Sequence, residues 1–315
     1  MASLAETGLQ ARMTPVRPLP VELSLLEKVH LPAYVAAVRG ISARGGGYLD
    51  ADTYLGPRSY DAALLAAGGA VELVRQVVSG RVSNGFALVR PPGHHAMSGR
   101  GMGFCLFNSI AVGARAALDE LGLARVLIVD WDVHHGNGTQ EIFYDSPQVY
   151  FFSTHQYPHY PGTGRWDETG AGPGRGYTAN VPLPAGVGQA GFRRIFAEVL
   201  DPLAERFRPE LILVSAGYDA HWSDPLAGLY LSLQGYWEMA RSVVALADRL
   251  CGGRLVVTLE GGYDLDVLAC GVADTCRALL GDLTPEPDPL GPSPWPERRI
   301  DDVLQAVKGA HGLVS

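Results

Sequence analysis

Asp130, Asp132 and His134 stand at alternate positions in the run Val-Asp130-Trp-Asp132-Val-His134-His135-Gly-Asn137-Gly. Along an extended chain, side chains two residues apart leave the same face, so these three polar groups are expected to converge. Taken alone, the motif also fits a satisfied hydrogen-bond cluster, because unpaired charge at a buried strand end is costly. A further carboxylate shifts the balance. Asp219, in Val-Ser-Ala-Gly-Tyr-Asp219-Ala-His221, closes another apolar run. With Asp132 and His134 it completes a carboxylate, imidazole, carboxylate set that leaves one position of a tetrahedral zinc ion open to water, the pattern of a catalytic rather than a structural site.

A second cluster follows another apolar run, in Arg90-Pro91-Pro92-Gly93-His94-His95-Ala96. Two prolines and a glycine stiffen this turn and let backbone approach closely, so two adjacent imidazoles are held rigidly. A lone buried histidine is more often structural than catalytic. In a tandem pair, a nearby carboxylate keeps one ring charged and leaves the other free to act as a base, and Asp130 is the natural partner. In Leu259-Glu260-Gly261-Gly262-Tyr263 a phenol follows two glycines, where its hydroxyl would donate to a developing oxyanion.

These clusters need a scaffold. Short Val, Ile and Leu-rich runs at 86–89, 126–129, 149–152, 211–214 and 255–259 read as buried parallel strands. Stretches with helical apolar spacing lie between them, among them 59–78, 108–121, 189–207 and 233–250. Alternating strand and helix implies a mostly parallel sheet covered by helices on both faces, with the ligand site beyond the carboxyl ends of the strands. The polar segments 90–96, 130–138, 153–164, 216–224 and 260–264 all fall at that end. A Pro-rich connection, 281–297, leads to a short C-terminal helical pattern over Asp301 to Val307. No repeat or second domain is visible, so 1–315 reads as one domain.

With 315 residues, 47% of them hydrophobic, the chain can bury a large core. A net charge of −8 supplies no basic stripe for a phosphate backbone, so nucleic acid is an unsuitable partner and a cationic one suits the surface better. Cys105, Cys251, Cys270 and Cys276 lack CxxC spacing and read as small buried residues in a reducing compartment. No export signal or membrane-spanning stretch is evident, and a cytoplasmic location is expected.

From about Val29 to Asp282 the chain resembles the histone deacetylase and acetylpolyamine amidohydrolase superfamily, nearest to class II deacetylases and their bacterial relatives. RPPGHHA, GFCLFN, DWDVHHGNGTQ, SAGYDAHWSDPLAG and LEGGYD occur in the family's order. The resemblance implies a three-layer arginase/deacetylase-like fold and zinc-dependent removal of the acyl group from acyl-lysine in a protein or peptide, or from an acetylated polyamine. It implies zinc on Asp132, His134 and Asp219, with His95 as general base and Asn137 behind it. His94, backed by Asp130, is the charged neighbour, and Tyr263 stabilises the oxyanion. Gly103 and Phe104 fall on one wall of the acyl-lysine tunnel, and Tyr160 stands where many members have a facing phenylalanine. Leu226 occupies a position where polyamine-selective members can place glutamate. Asp52 lies near a rim aspartate that accepts hydrogen bonds from substrate backbone. Potassium is implied beside zinc, on backbone around Asp130, Asp132 and His134 with the Ser153 hydroxyl.

One departure accompanies the resemblance. The chain is expected to start inside the family's first helical region, around Glu6 to Met13, with the opening strand and a rim loop missing. A wider entrance, or a sheet edge covered by another subunit in a homo-oligomer, would follow. Two other readings use related parts. A two-manganese ureohydrolase needs further aspartates where Gly136 and His221 stand, which favours one metal over two. A deacetylase-like module that binds acyl-lysine without cleaving it would be favoured by loss of a ligand or of Tyr263, and none is replaced.

Overall fold

The structure, a computed structural model, describes residues 2–313; Met1, Val314 and Ser315, at the ends of the expected single domain, lie outside it. Among the described residues, eight strands occur in chain order: β1 (Gly47–Tyr48), β2 (Tyr54–Leu55), β3 (Asn84–Ala87), β4 (Val126–Asp130), β5 (Val149–Gln156), β6 (Thr178–Leu183), β7 (Leu211–Ala216) and β8 (Leu255–Leu259). The first two form a small antiparallel hairpin. The other six build one sheet in the order β3-β8-β7-β4-β5-β6, with every pairing parallel.

Strands β4, β7 and β8 are buried at every residue, as a parallel sheet covered on both faces requires. Within β4 the two-residue period divides the core. Leu127 and Val129 face a cluster shared with helices Leu233–Cys251, Leu265–Leu279 and Asp301–Ala310, whereas Val126 and Ile128 face helices Pro32–Ala43, Ser59–Val78 and Ser109–Asp119. Local sequence also sets helix ends. Ser232 caps Leu233–Cys251 by accepting from the Gly235 N–H, and Gly252 closes the same helix at a φ of 63°.

Several expectations change in detail. The expected 86–89 strand is shifted, because only Asn84–Ala87 lie opposite β8 before the chain turns into Arg90-Pro91-Pro92. The 189–207 stretch divides into helices Gln189–Ile195 and Asp201–Phe207 around a widened turn, Phe196–Leu200. Pro202 has no N–H to give the preceding turn. Edge strand β6 escaped the sequence reading because Asn180 and Pro182 interrupt its apolar pattern; an edge position tolerates the proline. The segment around Glu6 to Met13 is a short α-helix, Ala2–Glu6, followed by a 3-10 turn, Leu9–Arg12. The Pro-rich connection has no regular structure but is pinned down: Trp295 stacks on Tyr230 at 5.3 Å, and Glu297 accepts from the Ala190 N–H at 2.9 Å.

Behind the turn that carries the tandem histidines, His30 is 1% exposed and ties three segments together. Its Nδ1 lies 2.9 Å from the Met97 carbonyl, while Nε2 accepts from the Asn108 N–H at 2.9 Å. Burial lowers its pKa from 6.5 to about 4. Because the folded value lies below the unfolded one, the stabilisation is whole above pH 6.5 and is lost as pH falls toward 4, a swing of about 3 kcal/mol. Urea unfolding of the wild type against His30→Gln from pH 7 to 4 should therefore give a shallower pH slope in the variant. Equal slopes would remove His30 from the acid response.

Candidate metal centre and active site

At the carboxyl end of β4 the chain does not continue as an extended strand. The Trp131 N–H donates to the Ser215 carbonyl, after which the Asp132 N–H donates to Asp130 Oδ1 at 3.1 Å and the His134 N–H to Asp132 Oδ1 at 2.9 Å. These aspartate-capped turns bring Asp132 and His134 together, so the convergence expected from alternation arises by a different geometry. Asp219, just beyond β7, joins them. One donor atom from each of Asp132, His134 and Asp219 lies within 4.8 Å of the others, and all three residues are buried.

The donor set fits a metal ion. His134 Nδ1 lies 3.1 Å from Asp132 Oδ1 and 3.3 Å from Asp219 Oδ2, and the latter oxygen has no hydrogen-bond donor among the described residues. The remaining carboxylate oxygens are anchored: Asp219 Oδ1 accepts from the Val133 N–H at 3.0 Å and Asp132 Oδ2 from the Gly261 N–H at 2.8 Å. A Cβ at Gly217 would strike Asp132, and one at Gly261 would strike both Asp132 and Asp219. Burial opposes charge on His134, yet the two carboxylates raise its pKa to about 10. His94, Cys105 and Glu260 also cluster, but the Glu260 carboxylate already accepts from backbone and Ser215 donors.

The tandem histidines take opposite states. His94 Nδ1 lies 3.0 Å from Asp130 Oδ2, and although burial disfavours its charge, Asp130 and Asp132 raise it to about 10. His95 is driven well below 6.5 by burial and by neighbouring His94. Its Nδ1 lies 2.8 Å from Asn137 Oδ1, an acceptor, so Nδ1 carries the hydrogen and Nε2 keeps its lone pair.

Tyr263 is half-buried, and burial together with Asp132 and Asp219 raises its pKa, so the phenol remains a donor. Gly103, at φ 55°, has no room for a Cβ against the His95 ring. Phe104, Tyr160 and Leu226 stand partly exposed around the site, with Phe104 6.1 Å from the Tyr263 ring and Tyr160 edge-on to His95 at 5.3 Å. Asp52 lies on the hairpin side, where it accepts from the Thr53 hydroxyl at 3.0 Å while Thr53 Oγ1 accepts from the Phe104 N–H. Ser153 is buried at the register partner of Asp130, and its Oγ lies 2.9 Å from His155 Nδ1.

The histone deacetylase domain model matches residues 1–279. The chain belongs to the histone deacetylase family. It is 44% identical to a probable deacetylase of Archaeoglobus fulgidus, over 84% of this chain and 74% of that protein. It is 41% identical to the human polyamine deacetylase HDAC10, over 98% of this chain but 46% of that protein. Among solved structures, the HDA15 HD domain superposes with a TM-score of 0.88 at 40% identity, covering 99% of this chain and 84% of that one. The sheet and its flanking helices thus have the arginase/deacetylase-like architecture of this hydrolase family.

Other residues of this family member support the site without having been singled out in the sequence. Asp224 Oδ2 accepts from the Tyr263 N–H at 2.9 Å and Oδ1 from the Leu226 N–H at 2.9 Å, fixing both residues by backbone. His159 stacks on His134 at 5.3 Å and its Nε2 lies 3.0 Å from the Leu226 carbonyl. Asp224 lies inside SAGYDAHWSDPLAG, where a buried carboxylate was legible as a type but not by partner. His159, in a loop without periodicity, left no such signal.

Asp219→Ala should abolish stable metal retention: elemental analysis after dialysis should fall from about one ion per chain to near none. Gly261→Ala should weaken retention by displacing two carboxylates. Full retention by Asp219→Ala would discard the ligand set.

Proposed function

We propose that this chain is a zinc-dependent amidohydrolase that removes acetyl or a related acyl group from the ε-amine of lysine in a protein or peptide, or from a similar acylated amine. The observation that carries this reading is the tandem pair, with His94 Nδ1 against the Asp130 carboxylate and His95 Nδ1 against the Asn137 amide oxygen, beside a buried Asp, His, Asp donor set. Either half alone has a structural explanation, but together they supply a base, a fixed positive charge and a cation site.

Asp132, His134 and Asp219 would hold zinc, which when bound supplies Lewis acidity toward an amide carbonyl and toward water. His95 Nε2 then takes the proton of the attacking water, oriented by Asn137 through Nδ1. Asn137 adds no negative charge, so it orients His95 without raising its basicity as a carboxylate would. His94 holds positive charge against Asp130 as the substrate oxygen becomes negative, and the Tyr263 hydroxyl donates to that oxygen. The proton held by His95 serves the departing amine. Gly103, Phe104 and Tyr160 would line the path of the acyl-lysine, with Asp52 at the rim accepting substrate N–H groups. Potassium near the backbone of Asp130, Asp132 and His134 belongs to the same reading, and it would share the Ser153 hydroxyl with His155.

A second reading, acetylpolyamine hydrolysis, is favoured by the 41% identity to a polyamine deacetylase. Against it, Leu226 brings no negative charge to its side of the entrance for a cationic tail.

Hydrolysis of acetyl-lysine peptides against acetylated polyamines by the zinc-loaded protein, with and without chelator, separates these readings. Chelator-sensitive peptide turnover is expected; polyamine preference would favour the second reading, and inactivity on both would sink the proposal. Tyr263→Phe should keep zinc while turnover falls about a hundredfold or more, and unchanged turnover would remove Tyr263 from the chemistry.

A further inference from the structure

Glu260 directly follows strand β8 and is wholly buried, yet the chemistry above makes no use of it. Its carboxylate has two distinct sides. Oε2 accepts from the Gly93 N–H at 2.7 Å and the His94 N–H at 3.2 Å, while Oε1 accepts from the Ser215 hydroxyl at 3.1 Å. Its backbone is engaged as well: the carbonyl accepts from Arg90 Nη1 at 2.8 Å and the N–H donates to the Ala216 carbonyl at 2.9 Å. The next residue, Gly261, donates to Asp132 Oδ2. Two consecutive residues thus hold the histidine turn on one side and a carboxylate of the metal set on the other.

We propose that Glu260 is a positioning residue for the base pair: the reach of its side chain fixes the spacing between the histidine turn and the metal ligands. This inference rests on the amidohydrolase reading. His94 is also held through its ring by Asp130 and through its carbonyl by the Gly138 and Thr139 N–H groups, but Glu260 is the side chain that meets the N–H groups of the turn, at a point packed so closely that a Cβ at Gly93 would collide with the backbone of Phe107 and Ser109. Without an acceptor, the Gly93 and His94 N–H groups would be buried and unpaired, a state costly enough to move the turn. A displacement of about 1 Å in a reacting group is enough to cost a hundredfold in rate. The length of the side chain, rather than its charge, is therefore the decisive property.

Glu260→Gln and Glu260→Asp separate length from charge. Glutamine keeps the reach: its amide oxygen can accept both N–H groups while its amino group donates to Ser215 Oγ. Aspartate keeps the charge but is one methylene short. Glu260→Gln should retain kcat within about threefold, whereas Glu260→Asp should lose about ten- to a hundredfold in kcat with KM little changed. Hydrogen–deuterium exchange over 90–96 should quicken in Glu260→Asp and not in Glu260→Gln, with metal content equal in both. Wild-type kcat and slow exchange in Glu260→Asp, or an equal loss in Glu260→Gln, would overturn the proposal. If Glu260→Asp also quickens exchange across β4 and β7, the variant is globally loosened and Ser215→Ala, which frees only Oε1, becomes the test. A loss of about threefold in kcat is then expected with KM unchanged, and no loss would overturn the inference. A wild-type protein inactive on both substrate classes would refute the amidohydrolase reading instead, leaving the exchange pattern to decide on Glu260.

Discussion

Four carboxylates, those of Asp130, Asp132, Asp219 and Glu260, are fully buried where β4, β7 and β8 end side by side. Gathering so much negative charge away from water is the constraint around which the rest of this site is arranged. Backbone N–H groups of Asp132, Val133, His134, Gly93, His94 and Gly261 are aimed at these oxygens, and the imidazolium of His94 lies among them. The parallel sheet makes the gathering feasible: its strands all finish at one edge, and its apolar residues fill both faces below. Among the described residues none donates to Asp219 Oδ2, which is where a cation would be most favourable.

The same crowding explains the glycines. Gly217 and Gly261 lie against the metal-set carboxylates, and Gly136 lies against Asp130, so a side chain at any of them would displace a charged group. Close backbone approach, rather than left-handed conformation, is their common reason. His95 escapes the charge that His94 carries because burial and the charged ring beside it oppose a second cation, and its Nδ1 meets an amide oxygen instead of a carboxylate that would offset them. One atom of difference between Asn137 and an aspartate thus helps to keep two touching rings, 4.0 Å between centroids, in different protonation states.

Much of this was legible in the amino-acid sequence because buried parallel strands announce themselves as short apolar runs with polar residues after them. Val126 to Val129, Leu211 to Val214 and Leu255 to Leu259 were readable for that reason, and the helix over 59–78 by its helical apolar spacing. What escaped lacked period or depended on partners distant in sequence. Strand β6 is broken by Asn180 and Pro182, and the hairpin strands have two residues each, too few for any pattern. The aspartate-capped turns at 130–134 imitate alternation in sequence while leaving the strand in space. Glu260 and Asp224 are plain as residue types, but their work is done on backbone N–H groups at Gly93, His94, Leu226 and Tyr263, which side-chain identity does not encode.

His159 lies flat on His134 and also reaches the Leu226 carbonyl, so one imidazole spans from the floor of the site to its entrance. Entrance and floor are therefore not separable modules. A change at Leu226 would shift the surface on which His134 rests, so the proposed entrance and the buried carboxylates beneath it would have to be redesigned together.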